Sequence, residues 1–337
     1  MKKYFITNRP SGLGDLLCNL AATYYYARMY DGDVILDWRN IIYNYNDFWK
    51  TKKTNTGNLF TSLFVQPTQP LNGVNFILPE VDDVYWNIDR SKIFNINPRW
   101  NKISDELNQQ EYETINKNIN DNEYIFVEQR IHEHNQIFPN MQHSKFSIEG
   151  KISNFTEKFD YVNFLNFFQV QPYIKYKIDN FIKDNFVSQN VVGIHMRYGN
   201  IKQKEPTIRE YKNDTDSWIS DKEIIDTIKE KISNISIENP KYFISCDDHR
   251  INSLILDNIP NSFCLQKYFP EDGLSLMGTH ANAQIKILQE SFMDMFLLSE
   301  CQHLIYTYHS VYTVWPIYKI IQKYESKASM QSMFSKD

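Results

Sequence analysis

The chain has 337 residues, of which 42% are hydrophobic and 15% aromatic, and its formal net charge is −5. This length allows two ordinary domains, and this composition is sufficient to bury a core in each of them. The acidic balance argues against an extended nucleic-acid-binding face, which requires many lysines and arginines on one surface. Any phosphate binding should therefore be local.

The four cysteines, Cys18, Cys246, Cys264 and Cys301, are widely spaced and form neither a C-x-x-C pair nor a cluster with histidines at metal-ligand spacing. We expect reduced thiols and no structural zinc. The N-terminus lacks the long apolar region of a signal peptide, and no later run approaches the length of a membrane span. These features predict a cytoplasmic protein without a transmembrane segment.

The first residues predict a strand, a glycine-containing turn and a helix. Lys3–Thr7 alternates in the manner of a strand, and the helical pattern that follows the turn ends at Met29. Gly12 and Gly14 would let backbone amides approach a ligand at the start of this helix. A tight turn that only packs the helix onto a sheet would explain the same glycines. Asp33–Trp38 predicts a second strand.

Residues 41–160 are less regular, with aromatic and Asn-rich loops around short predicted strands at Val74–Leu78 and Tyr124–Val127. An amphipathic pattern predicts a helix at Pro172–Phe186. A domain boundary is expected near Val187–Asn190, which divides the chain into an N-terminal domain of residues 1–188 and a C-terminal domain of residues 189–324. Glu325–Asp337 is expected to be a polar, frayed tail.

The second half alternates strands with helices, a pattern that predicts a parallel, doubly wound sheet. The predicted strands are Val191–Met196, Lys241–Cys246, Ser262–Gln266 and His303–Thr307. The predicted helices are Asp221–Ser233, Ile251–Asn258, Ala283–Leu298 and Tyr312–Tyr324.

The strand Val191–Met196 runs directly into polar residues. His195 and Arg197 would emerge at its carboxyl end, where ligands bind in open α/β sheets. The guanidinium of Arg197 is permanently charged and offers a planar set of donors, which suits a phosphate. A buried core histidine and an ordinary surface ion pair would fit the same pattern, and local sequence does not separate the two interpretations.

Six short motifs occur in order along the chain: Gly12–Asp15, Asp37–Arg39, Pro98–Trp100, Gly193–Asn200, Cys246–Asp248, and Asp294–Ser299 leading to Thr307–Ser310. Their order and spacing resemble the nodulation fucosyltransferase (NodZ) family, which is related to the α1,6- and protein O-fucosyltransferases. The resemblance covers most of the chain.

The resemblance implies a GT-B fold, in which two Rossmann-like domains face each other across a cleft. It also implies a glycosyltransferase that moves fucose from GDP-fucose to a hydroxyl of a bacterial glycan, with inversion and without a metal. Another nucleotide sugar such as GDP-heptose, or a catalytically silent nucleotide- or sugar-binding protein, would fit the same motifs. A lipid-linked acceptor and a peripheral position at the inner membrane are compatible with this interpretation.

The resemblance also assigns residues to the donor. Arg197 resembles the arginine that holds the donor pyrophosphate, with His195 beside it. Several relatives carry a second arginine next, where this chain has Tyr198, which is similar to the NodZ branch. The remaining residues that the resemblance implies for donor binding are Asn200, Asp247, Asp248, Asp294 and Ser310.

Two further roles are implied less directly. Glu205, eight positions after Arg197, is similar in spacing to a carboxylate of the α1,6 relatives and is a candidate general base. A solvated loop glutamate would also fit that position. Acceptor binding would fall to the first domain, and its candidate residues are Asp37, Arg39, Arg99 and Trp100. Aromatic residues there could instead belong to the core.

Overall fold

The structure is a computed structural model that describes residues 2–7, 12–38, 58–79, 94–96, 117–127, 161–187, 190–197, 220–269, 284–307, 310–324 and 330–333. The chain divides into two compact units, Met1–Gln171 and Pro172–Asp337. Each unit contains a five-stranded sheet in which all neighbouring strands are parallel. The α/β architecture expected from the alternating strand and helix patterns is therefore confirmed.

The first unit has the strand order β3-β2-β1-β5-β4. Its described elements are β1 (Tyr4–Thr7), α1 (Leu13–Met29), β2 (Asp33–Leu36), a 3₁₀ turn (Leu59–Ser62), β3 (Phe76–Ile77), β4 (Phe94–Ile96), a short helix at 117–121, β5 (Tyr124–Val127) and α2 (Tyr161–Asn166). The predicted strand and helix at the N-terminus are present, and Gly12 is the residue that precedes the first turn of α1. β4 was not predicted, since three residues are too few to show alternation.

Helix α1 is the core helix of this unit. Fourteen of its 17 residues are buried, so it is apolar nearly all round and has no solvent-facing stripe of ordinary width. Phe5 of the central strand β1 is fully buried and stacks on Tyr26 of α1. On the same helix, Tyr24 stacks on Phe164 of α2 with ring centroids 4.9 Å apart. These contacts bury the helix between the sheet and a set of phenylalanines.

Asn58 fixes the carboxyl end of β2. Its Nδ2 donates to the carbonyl of Leu36 at 2.5 Å, and its Oδ1 accepts from the backbone N–H groups of Trp38 and Phe60 at 3.2 Å each. One side chain thus satisfies backbone groups of the strand end and caps the 3₁₀ turn. It also holds the backbone of Trp38, the second residue after β2.

The second unit has the strand order β10-β9-β6-β7-β8. Its described elements are α3 (Pro172–Asn185), β6 (Val191–Met196), α4 (Asp221–Ser233), β7 (Lys241–Cys246), α5 (His249–Asn258), β8 (Ser262–Cys264), α6 (Gln284–Glu300), β9 (His303–Thr307), a 3₁₀ turn (Val311–Thr313), α7 (Val314–Tyr324) and β10 (Met330–Met333). Several of these bounds equal those predicted.

Strand β6 lies at the centre of this sheet and is buried along its whole length. Helix α6 packs closely against it at Gly193. A methyl group added at this glycine would lie 2.9 Å from Leu298 of α6 and 3.1 Å from Leu304 of β9. The glycine therefore allows the helix to approach the sheet, and the approach brings polar residues of α6 near the strand ends.

The division between the units differs from the expected boundary near Val187–Asn190. Helix α3 belongs to the second unit, because its buried Ile174 and Ile178 face inward and the helix packs on α6. The hydroxyl of Tyr173 on α3 also accepts a hydrogen bond from Gln289 on α6. The expected boundary had placed this helix with the residues that precede it.

The expectation of a frayed tail over Glu325–Asp337 was wrong in part. Met330–Met333 forms β10, which pairs in parallel with β9, and Met333 is fully buried in the core. The burial of Met333 and the backbone pairing with β9 hold this segment against the sheet, although the surrounding sequence is polar. Within the ranges described above, none of the helices combines the length and the apolar character needed to span a bilayer.

Candidate functional site

The strands β9, β6, β7 and β8 of the second sheet lie side by side and run in the same direction. Polar residues occur at or just beyond the carboxyl end of each: Thr307 on β9, His195 and Arg197 at β6, Asp247 after β7 and Lys267 after β8. Because carboxyl ends of parallel strands meet at one edge, these residues share the edge where ligands bind in such sheets.

His195 is held inside this edge. Its residue is only 4% exposed, and its Nε2 shares a hydrogen bond with the hydroxyl of Ser310, at 2.9 Å. Its ring stacks on Tyr312 with centroids 4.9 Å apart. Burial, together with the positive charges of Arg197 and Lys267, lowers the pKa of His195 to about 3. His195 is therefore a neutral, oriented imidazole at neutral pH.

Arg197 is the first residue beyond β6 and is partly exposed. Its backbone N–H donates to the hydroxyl of Thr307 at 3.1 Å, and that hydroxyl donates to the carbonyl of His195 at 3.2 Å. A single buried threonine of β9 thus ties down the backbone on either side of Met196. The starting point of the Arg197 side chain is consequently fixed at the sheet edge.

Asp294 lies on α6 and is only 1% exposed. Its Oδ2 accepts hydrogen bonds from the hydroxyl of Ser245, at 3.1 Å, and from the ammonium of Lys267. Burial raises the pKa of Asp294, while the charge of Lys267 opposes that rise. Burial on its own would lower the pKa of Lys267, but the neighbouring Asp294 carboxylate outweighs it and the pKa is raised. The lysine thus stays charged beside the carboxylate.

The two aspartates after β7 differ in their roles. Asp248 is buried and caps helix α5, because its Oδ1 accepts from the backbone N–H of Ile251 at 3.0 Å. Asp247 is partly exposed at the sheet edge. Cys246, the last residue of β7, is buried beside Asp247, and burial raises the pKa of its thiol, so it is an inert core residue.

Only some of the remaining predicted site residues fall in described parts of the chain. Gly12 and Gly14 lie at the start of α1, and Asp37, directly after β2, is fully buried. The other predicted residues lie outside the described ranges: Tyr198, Asn200, Glu205, Arg39, Arg99 and Trp100.

The structure adds residues that were not predicted for the site. Lys267 follows β8 much as Arg197 follows β6, so the rule that polar residues gather beyond strand ends could have found it. Thr307 is the first residue of the motif Thr307–Ser310, but the sequence assigned it no role. Ser245 and Tyr312 carried no such signal, because a serine within a buried strand and a tyrosine near a helix start are ordinary features. Among the described side chains, no three of His, Cys, Asp or Glu gather closely enough to bind a metal ion.

Comparison with known proteins identifies the family. The sequence profile of the family described as Nodulation protein Z (NodZ) matches residues 1–326. No curated protein sequence matches the chain significantly.

Solved structures that are similar to this chain include two of NodZ and one of POFUT1. NodZ α1,6-fucosyltransferase soaked with GDP-fucose is 17% identical, with 95% of this chain and 93% of that chain covered and a TM-score of 0.58. Fucosyltransferase NodZ from Bradyrhizobium is 18% identical, with coverages of 94% and 93% and a TM-score of 0.58. POFUT1 in complex with GDP-fucose is 12% identical, with coverages of 99% and 98% and a TM-score of 0.50.

These likenesses establish the fold, and the predicted GT-B class with two Rossmann-like domains is confirmed. The resemblance read from the motifs and the predicted glycosyltransferase class are confirmed by the family match, which extends over nearly the whole chain. The chain belongs to the nodulation protein Z (NodZ) family, a family of fucosyltransferases.

Proposed function

We propose that this protein transfers fucose from GDP-fucose to a hydroxyl of a bacterial glycan, with inversion at the anomeric carbon and without a metal ion. Membership of the family supports fucosyl transfer, and a similar NodZ structure was soaked with GDP-fucose. The observation that carries the proposal is the position of Arg197, held by Thr307 at the carboxyl end of the central strand.

Arg197 would bind the diphosphate of the donor. Its guanidinium provides a permanent positive charge and paired donors, the features that recognise phosphate oxygens. As the bond to the sugar breaks, negative charge grows on the departing GDP, and a fixed cation stabilises that charge most in the transition state. Because Thr307 fixes the backbone at Arg197, little reorganisation is required when the donor binds.

The buried residues behind Arg197 would shape the rest of the donor site. His195 is neutral and is oriented by Ser310 and Tyr312, so it would contribute a hydrogen bond to the donor site and leave the positive charge to Arg197. Ser310, Asp294 and Asp247 are the further proposed contacts. Asp248 already caps α5 through one oxygen, so any contact with the donor would use its other oxygen.

The transfer itself requires a base on the acceptor side. The acceptor hydroxyl attacks the anomeric carbon, its proton passes to a carboxylate, and GDP leaves from the opposite face. We propose Glu205 for this carboxylate and the first unit for acceptor binding, with Asp37, Arg39, Arg99 and Trp100 as the residues to test. The leaving charge would be balanced by Arg197 and by backbone N–H groups.

Calorimetric titration with GDP and with GDP-fucose tests donor binding, and release of GDP during incubation with a glycan panel tests transfer. Saturable binding of both and fucose transfer support the proposal. Turnover of GDP-heptose or another nucleotide sugar in preference to GDP-fucose would correct the donor. Tight GDP binding without turnover of any donor, across a wide acceptor panel, would indicate a silent binding protein instead.

A further inference from the structure

Lys267 is a buried lysine that the proposed donor contacts do not use. It lies three residues beyond the end of β8, and its side chain is only 4% exposed. Lysine is almost never buried to this degree unless it is paired. Here the partner is Asp294, whose side chain is 2% exposed and whose Oδ2 accepts from the lysine ammonium. This buried pair joins the segment after β8 to helix α6.

The segment after β8 is attached to α6 at two points. Next to the Lys267–Asp294 pair, the backbone N–H of Tyr268 donates to Oε2 of Glu290 at 2.8 Å. Glu290 lies one helical turn before Asp294, so two consecutive residues of the segment bind two consecutive turns of the helix. The ammonium of Lys267 also lies 5.1 Å from the ring centroid of Phe269. Asp294 and Lys267 are thus held in fixed positions relative to each other.

The pair is connected to the strand ends that would receive the donor. Ser245 donates to the same oxygen of Asp294, and Ser245 is the register partner of His195 on the neighbouring strand. The charge of Lys267 is close enough to influence both His195 and Asp247. A change in the charge of the pair would therefore alter the electrostatic potential along the edge where Arg197 lies.

We propose that Lys267 is a positioning residue of the donor site, which holds Asp294 in place and cancels its negative charge next to the donor diphosphate. This inference rests on the proposed function. Charges interact strongly where water is excluded, and a buried carboxylate without its partner would repel an anionic ligand. The edge already carries the carboxylates of Asp247 and Asp248. The positive charge of Lys267 therefore limits the total negative charge that a diphosphate would meet there.

A double-mutant cycle on GDP affinity, measured by calorimetry, tests the inference. Lys267→Met should weaken GDP binding by about tenfold or more in the unmodified chain, because Asp294 is left uncompensated. In an Asp294→Asn background the same change should weaken GDP binding by less than about threefold, since residue 294 then carries no negative charge for Lys267 to neutralise. Lys267→Arg, which restores the charge, should bind GDP within about threefold of the unmodified chain.

Lys286→Met is the matched control. Lys286 is 67% exposed and pairs with Glu290 at 3.6 Å on the same helix, so its loss should leave GDP affinity unchanged. A purely structural role for Lys267 would lower the midpoint of urea unfolding in Lys267→Met without weakening GDP binding, and this result would overturn the inference. An equal loss of affinity in both backgrounds would also overturn it, because Lys267 would then act independently of Asp294.

Lys267→Met leaves a buried carboxylate unpaired, so that single variant could fail to fold. The comparison of Asp294→Asn with the double variant then decides, because neither leaves an unpaired carboxylate at position 294, and a buried lysine that has lost its partner can release its proton. A further tenfold loss in the double variant would contradict the inference. If the unmodified chain binds no GDP, the proposed function fails and this inference fails with it; normal binding by the unmodified chain and by Lys267→Met overturns the inference alone.

Discussion

The Nε2 atom of His195 and the hydroxyl of Ser310 lie 2.9 Å apart, although 115 positions separate the two residues in the chain. They meet because β6 and β9 are neighbours in the sheet and end at the same edge. Thr307 adds two hydrogen bonds across the same pair of strands. The backbone from His195 to Arg197 is therefore fixed from one side by residues of β9.

Arg197→Ala should lower the rate of sugar transfer by about 10²–10³, the usual cost of removing one group that stabilises developing negative charge. The fold should be preserved, because the side chain is partly exposed. Initial rates with saturating donor, together with urea unfolding, measure both effects. Arg250→Ala is the control, since Arg250 pairs with Asp221 on an exposed part of the same unit. Transfer at the unmodified rate by Arg197→Ala would exclude the assigned role.

Thr307→Val should destabilise the protein and also weaken donor binding. The valine leaves the N–H of Arg197 and the carbonyl of His195 without the hydroxyl that joins them, which typically costs about 1–3 kcal/mol in unfolding free energy. Less fixed backbone at Arg197 should raise the Kd for GDP. Thr307→Ser retains the hydroxyl and should stay near the unmodified protein in both measurements. Equal behaviour of the valine and serine variants would show that the hydroxyl is unimportant.

Glu205→Gln should reduce kcat much more than it reduces donor affinity, if Glu205 takes the proton from the acceptor. A base acts only on the chemical step, whereas a binding residue would change Kd and the rate together. Steady-state rates and calorimetry with GDP separate these effects. A parallel loss in both quantities would assign Glu205 to binding instead.

The free energy of unfolding should fall as the pH is lowered from neutrality. The pKa of His195 is about 3 in the folded protein, lowered chiefly by burial, and has the ordinary value of 6.5 when the side chain is free. Below pH 6.5 the unfolded chain therefore binds a proton at His195, whereas the folded chain binds that proton only near pH 3. The stabilisation that comes from neutral His195 is fully present above pH 6.5. Between pH 6.5 and pH 3 this one residue lowers the free energy of unfolding by about 1.4 kcal/mol per pH unit.

His195→Gln should remove that part of the slope when urea unfolding is measured between about pH 6.5 and pH 4. His303, whose pKa is lowered to about 4 by burial, contributes in the same direction, so a shallower slope should remain in the variant. The slope is the decisive quantity, because the substitution also changes stability at neutral pH. Parallel profiles for the two proteins would mean that His195 is not buried in its neutral form.

Lys3→Met should destabilise the first unit. The ammonium of Lys3 donates to the carbonyls of Ile119, Asn120 and Asn122 at 2.7, 3.0 and 3.2 Å, so it caps the end of the helix at 117–121. Loss of these charged hydrogen bonds is expected to cost about 1–3 kcal/mol in urea unfolding. Lys2→Met is the comparison, because the Lys2 side chain is 53% exposed and solvent weakens its pairing with Asp33. A larger effect for Lys2 than for Lys3 would refute this account.

The sequence by itself determined most of the secondary structure and the family. Val191–Met196 and Asp221–Ser233 have the same bounds in the structure as in the prediction, because an apolar run between polar residues and a helical repeat of isoleucines are local signals. The motifs around Arg197 and Asp294 were sufficient to recognise the family, since each motif is a short contiguous segment. The sequence also placed His195 and Arg197 at the carboxyl end of a strand, and β6 ends at Met196, between them.

Only the tertiary structure decided which of these residues touch. The pairing of His195 with Ser310 depends on β9 lying beside β6, and the pairing of Lys267 with Asp294 depends on how α6 crosses the sheet. The same is true of α3, which joins the second unit through buried isoleucines, and of β10, which pairs with β9 despite its polar surroundings. Local patterns encode the path of the backbone over a few residues, whereas these contacts follow from strand order and packing between distant segments.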